Sequence, residues 1–152
     1  MLTSPAKAPD LTLRSLDGSE VALHDLWRAG PVLLVFFKIG CPTCQLIFPF
    51  LERIHRGKGV RLVAISQDDA ENTRAFHSRF GITIPTLLDM APYGAGRAYD
   101  IKAVPSLFLV DEDGRIAWSD AGFDRSTLEQ WGREAGVEAF VQDEKVPAFQ
   151  AG

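Results

Sequence analysis

Val32-Leu33-Leu34-Val35-Phe36-Phe37-Lys38-Ile39-Gly40-Cys41-Pro42-Thr43-Cys44 is the stretch whose reading decides the fold. Its first six residues form an unbroken apolar run rich in β-branched and aromatic side chains, the pattern of a strand buried on both faces. The run ends at a cysteine pair, and Gln45 to Arg56 then read as a helix stopped near Gly57 and Gly59. Leu46, Phe50, Leu51 and Ile54 recur there at helical spacing, and Pro49 is expected to kink it. A buried strand passing into a helix through Cys-x-x-Cys is therefore the centre of the molecule.

Outward from that centre, strands alternate with helices. On the N-terminal side, residues 1–9 read as an extended arm, and Leu11-Thr12-Leu13 and Val21-Ala22-Leu23 flank the Asp17-Gly18 turn as a short hairpin. On the C-terminal side, Val60 to Ile65 read as a second buried strand and Asp69 to Phe80 as an amphipathic helix. Pro85 to Leu88 form a short strand and Ala95 to Asp100 a short helix. Ser106 to Val110 and Ile116 to Trp118 straddle Asp111-Glu112-Asp113-Gly114 as a hairpin. A last helix starts at Asp124 or Ser126, either of which can cap it, and runs to about Ala135. Residues 138–152 show no period and read as a tail. The pattern predicts one α/β domain over 1–152 with a core at about 8–136. Its architecture is three layers, α/β/α, around a mixed sheet, with an N-terminal hairpin and a strand–helix insertion after the cysteine-bearing helix.

The two cysteines are the only two in 152 residues. A structural disulfide constrains the unfolded chain more as its loop lengthens, and a four-residue ring constrains little. Chemistry explains the spacing better. Attack on a disulfide needs a thiolate, which the free N–H groups and positive dipole at a helix N-terminus stabilise. Cys41 is expected at that terminus, with Pro42 in the first turn where its missing N–H does no harm. Cys44, one turn inward, faces the same way. Cys41 is thus the candidate nucleophile and Cys44 the candidate resolving thiol. Zinc usually takes four ligands, and no second cysteine pair exists; His24, His55 and His77 lack ligand spacing. No metal site is expected, and no cofactor beyond a redox-active Cys41–Cys44 disulfide.

Bulk properties narrow the partners. The net charge is −4, 46% of residues are hydrophobic and 24% charged. No basic block interleaved with aromatics suggests nucleic acid, and no apolar run is long enough to span a bilayer. The expected partners are a protein or small-molecule disulfide and an upstream thiol donor, with the protein a monomer. Residues 1–9 lack the apolar stretch of a signal peptide, so a cytoplasmic location is expected, or a periplasmic one had an export signal been removed.

These residues resemble the thioredoxin-like superfamily, and within it the TlpA/ResA-like branch of the redoxin (AhpC/TSA-related) proteins. The likeness runs from about Ala8 to Gly136. It is carried by Ala8-Pro9-Asp10-Leu11 with the hairpin, by Phe36-Phe37 with Cys41-Pro42-Thr43-Cys44 and Pro49, by the strand and helix at 60–80, and by Val104-Pro105-Ser106 with the hairpin after it. The resemblance implies thiol–disulfide oxidoreductase activity. It also implies a cis peptide bond at Pro105, and a loop in which Val104 and Pro105 offer backbone to an extended substrate; Pro85 is the competing proline. The chain departs from relatives in three places. Gly40 stands where Trp often precedes the motif, Val35 where thioredoxins bury an Asp, and Ile47 where ResA-like proteins often carry Glu. Neither familiar carboxylate is present to move protons at Cys44. Lys38 is a candidate cation near Cys41 or a solvated strand end.

Two other functions compete. A peroxidase of the peroxiredoxin kind would need Pro-x-x-x-Thr/Ser-x-x-Cys, and the residue three before Cys41 is Lys38. A non-catalytic module could hold a soft metal through both thiolates, but no third ligand is evident.

Overall fold

The computed structural model describes residues 1–141 and 144–152. Its elements, in chain order, are β1 (Ala6–Lys7), β2 (Thr12–Ser15), β3 (Glu20–Ala22), α1 (Leu23–Arg28), β4 (Val32–Phe37) and α2 (Pro42–His55). There follow β5 (Arg61–Ser66), α3 (Ala70–Phe80), β6 (Thr86–Leu88), α4 (Gly94–Ala98), β7 (Ser106–Val110) and β8 (Arg115–Ala121). The last are β9 (Phe123–Asp124), α5 (Arg125–Ala135) and β10 (Phe149–Gln150). Among the described residues the main sheet has the order β1-β8-β7-β4-β5-β6-β2-β3, and β9 pairs separately with β10.

β4 lies inside the sheet, parallel to β5 and antiparallel to β7, and the solvent reaches none of its six side chains. Successive strand residues point to opposite faces, so β4 feeds two cores. Leu33, Val35 and Phe37 pack under α2, α3 and α5, with Ile47, Phe48, Leu51, Phe76 and Leu128. Val32, Leu34 and Phe36 pack under α1 and α4, with Leu23, Trp27, Ala95 and Tyr99. The continuous apolar run thus follows directly from helices on both faces. The predicted three-layer α/β class, N-terminal hairpin and inserted strand and helix are all present.

The differences are local. Leu23 opens a short helix, α1, instead of ending the hairpin. α2 begins at Pro42 and continues through Pro49 to His55. α4 ends at Ala98, two residues before Asp100, whose φ of +54° lies in the left-handed region. β8 extends to Ala121, beyond the expected Trp118, because it pairs along the whole of β7 and receives β1 on its other edge. Asp124 is the residue that caps α5, its carboxylate accepting from Ser126 and Thr127 N–H.

Two buried carboxylates tie the inserted segment down. Asp89, 2% exposed, accepts from the N–H groups of Ala95 and Gly96 and from the Gln67 amide, pinning α4 to the end of β6. Glu52 on α2 is 4% exposed. It accepts from Thr83 N at 2.6 Å, Thr83 Oγ1 at 2.6 Å and Arg56 Nε at 2.7 Å. Burial alone would raise the Glu52 pKa, but these donors, with the nearby His55, outweigh it and hold the carboxyl below its usual range.

Candidate active site

The chain leaves β4 at Phe37 and turns through Lys38-Ile39-Gly40. That turn is held from three sides. Cys41 N donates to Lys38 O at 3.3 Å, Asp68 accepts from Ile39 N at 2.8 Å, and the Gln45 amide donates to Ile39 O at 2.9 Å. Asp68 comes from the end of β5 and Gln45 from the first turn of α2, so the turn is fastened to the two elements that flank it.

Cys41 is the N-cap of α2, with extended backbone at φ −81° and ψ 118°, and Pro42 occupies the first helical position. Its Sγ accepts from Cys44 N at 3.2 Å, filling the role that a Ser or Asp oxygen plays at other helix starts. On its other side the Cys41 thiol donates to Val104 O at 3.3 Å. Cys41 is partly exposed and Cys44 is fully buried, and both are free thiols. The Val104–Pro105 bond is cis, and Pro85 is trans. Cis bonds also occur at Ser4–Pro5 and Ala91–Pro92, which the sequence did not single out. The candidate residues therefore meet around one sulfur: Cys41 touches Cys44 from within its helix and Val104 across the sheet end.

Burial pushes the Cys44 thiol far above its ordinary range, and the adjacent Cys41 adds to the effect; a backbone hydrogen bond at Lys38 works against it, and Asp68 adds the smallest push upward. Val35 and Ile47 share the apolar cluster that encloses Cys44. The two positions where relatives place a carboxylate are thus dry hydrocarbon. Lys38 is exposed, and its ammonium lies 5.6 Å from the centre of the Tyr93 ring, a cation–π contact. Among the described residues, no group of three or more His, Cys, Asp and Glu side chains could hold a metal ion.

Sequence reasoning missed Asp68, Gln45 and the surroundings of Thr43. Thr43 sits inside the motif yet is 3% exposed. Its hydroxyl donates to Ala151 O at 2.6 Å and accepts from the Gln150 amide at 2.7 Å. Gln45 carried a faint signal, being four residues from Cys41 on a helix. The pairing of Thr43 with residues more than a hundred positions away carried none.

Known proteins resemble this chain in sequence and in fold. The Redoxin family matches residues 3–137. Thiol-disulfide oxidoreductase ResA of Geobacillus thermodenitrificans is 31% identical over 113 residues, which are 72% of this chain and 64% of that protein. The chain thus spans somewhat under two thirds of the length of that relative. A Mycobacterium tuberculosis protein assigned as a peroxiredoxin is 32% identical over 130 residues, covering 76% of this chain and 82% of that one. Among solved structures, a Chlorobium tepidum protein assigned as the thiol:disulfide interchange protein DsbE superposes with a TM-score of 0.74 at 25% identity. That match covers 88% of this chain and 96% of the other. With the strand-to-helix cysteine pair and the cis-proline loop in place, the chain belongs to the Redoxin family and has its thioredoxin-like fold.

Proposed function

We propose that the protein is a thiol–disulfide oxidoreductase in which Cys41 attacks and Cys44 resolves. The observation that carries this reading is the position of the Cys41 sulfur. It is partly open to solvent, accepts from the Cys44 N–H, and lies against the Val104 carbonyl at the edge of the cis-proline loop.

The Cys41 thiolate attacks one sulfur of a substrate disulfide. A Cys41–substrate disulfide forms, and the other substrate sulfur leaves as a thiolate. Cys44 then gives up its proton and attacks the Cys41 sulfur. The Cys41–Cys44 bond forms and the second substrate thiolate departs, so two electrons have passed to the substrate. A thiol donor restores the pair by the reverse exchange, and no cofactor is required. Val104 and Pro105 offer the backbone along which an extended substrate segment lies, and protein disulfides are the partners this chemistry serves.

The motif itself, Cys-Pro-Thr-Cys, places the proline where an N–H is not needed and the threonine where its hydroxyl binds elsewhere. The test is a trap. Cys44→Ser, given disulfide-bonded insulin, should accumulate a mixed disulfide between Cys41 and an insulin chain and lose at least roughly 100-fold in turnover, while Cys41→Ser should trap nothing. Trapping by the Cys41 variant instead would reverse the two roles. Kinship with the mycobacterial protein assigned as a peroxiredoxin favours peroxidase chemistry as a second reading. Against it, the described hydrogen bonds of the Cys41 sulfur involve only Cys44 N and Val104 O, and the Thr43 hydroxyl turns to Ala151. Peroxide consumption measured beside insulin reduction separates the two.

A further inference from the structure

The strip of surface beside the dithiol is already covered by the chain itself. β10 adds antiparallel to β9, with Phe149 opposite Asp124 and Gln150 opposite Phe123, and Ala148 O accepts from Arg125 N at 2.9 Å. From there the backbone passes over Thr43, whose hydroxyl is held between Ala151 O and the Gln150 amide. It finishes against the cis-proline loop, where a side chain on Gly152 would collide with the Val104 carbonyl, the same carbonyl that accepts from the Cys41 thiol.

The contact is shaped for backbone. Gly122, at φ +83°, lies so close beneath the segment that a Cβ there would come within 2.5 Å of Gln150 O. Gly122 N in turn donates to Pro105 O at 2.9 Å, so one glycine links the loop and the segment. The occupant has small residues at the sulfur end, Ala151 and Gly152, and an anchoring amide at Gln150. Its hold is slight. The strand pairing spans two residues, and Phe149 is 59% exposed.

We infer that residues 149–152 act as an internal strap lying in the strip an extended protein substrate would use, so that the strapped form admits small disulfides to Cys41 and excludes protein disulfides until the strap lifts. This rests on the oxidoreductase reading for its meaning in turnover, but the occlusion itself concerns only access to one sulfur. A site that is competent in only a fraction of molecules loses apparent affinity by that fraction. A small disulfide, reaching Cys41 past the strap, escapes the loss.

The experiment compares the full chain, a chain lacking residues 149–152, and the full-length Gln150→Ala variant, which keeps the backbone and loses the Thr43 contact. For each, the alkylation rate of Cys41 is measured with iodoacetamide and with a polymer-linked maleimide. Insulin and 2-hydroxyethyl disulfide are then reduced with dithiothreitol as the electron source. The deletion should raise the bulky-to-small ratio by about fivefold or more in both assays, and Gln150→Ala by about twofold, as the open fraction grows. Ratios that stay level or fall in both variants overturn the strap. Alkylation needs no turnover, so a rise there without reduction of either disulfide would refute the oxidoreductase reading and leave the strap standing.

Discussion

Helix α2 buries two ionisable side chains eight residues apart, and they meet opposite fates. Cys44 and Glu52 are both almost wholly removed from solvent. Glu52 finds three donors, from Thr83 and Arg56, and its carboxyl is held below the usual range. Cys44 shares one apolar cluster with Val35, Phe37, Ile47 and Phe48, and its thiol is pushed far up by burial. Burial penalises charge at both places, and the neighbours decide whether the penalty is offset. The structural end of the helix carries a charge at neutral pH, and the reactive end keeps its second thiol neutral until the chemistry demands otherwise.

The sharpest way to break this contrast is Ile47→Glu, which moves a carboxylate next to Cys44 with no donor to meet it. Stability should fall by roughly 3–5 kcal/mol in urea denaturation, the cost of an unpartnered buried acid. A loss under 1 kcal/mol would show that the Cys44 pocket admits water. Next is Glu52→Leu, which removes the charged acceptor shared by Thr83 N–H, the Thr83 hydroxyl and Arg56. About 2–3 kcal/mol should be lost at pH 7. Because the folded Glu52 carboxyl titrates below its unfolded value of 4.5, the native chain has this stabilisation in full above that pH and loses it as pH falls through the lowered folded pKa. The gap between native and variant should therefore close on acidification, and a gap independent of pH would assign it to packing.

Smallest in energy is the behaviour of Cys44 in turnover. With its thiol pushed up by burial, the reactive thiolate is scarce, and decay of the mixed disulfide should quicken about tenfold per pH unit between pH 7 and 9, equivalent to about 1.4 kcal/mol per unit. A flat profile in a quenched single-turnover experiment would mean that a nearby base removes the proton, and Asp68 would be the first residue to replace.

The contrast also separates what a sequence discloses from what it hides. The strand at 32–37 and the cysteine pair were legible because continuous apolarity and i, i+3 spacing are local patterns. Phe76 and Phe80 marked their helix face for the same reason. Glu52 reads in sequence as an ordinary surface acid with Arg56 four residues on; its burial depends on Thr83, brought in by the inserted segment. α1 was missed because Leu23 and Leu26–Trp27 make too short a pattern to distinguish from a strand end. β1, β9 and β10 are two-residue strands defined wholly by distant partners, and no local pattern announces such pairings. At the dithiol, the motif was readable and its cover was not, since Thr43 meets Gln150 and Ala151 only in three dimensions.

One further consequence follows from β4 having neighbours on both edges and no exposed side chain. Its amide hydrogens are locked in ladders that come apart only when the whole domain opens, so their exchange with deuterium measures global stability. The two-residue β9–β10 pair has no such protection. The chain thus sets a doubly paired, fully buried strand behind Cys41 and a two-residue strand pair beside it. Cys41 is thereby mounted four residues beyond a strand that is paired on both edges.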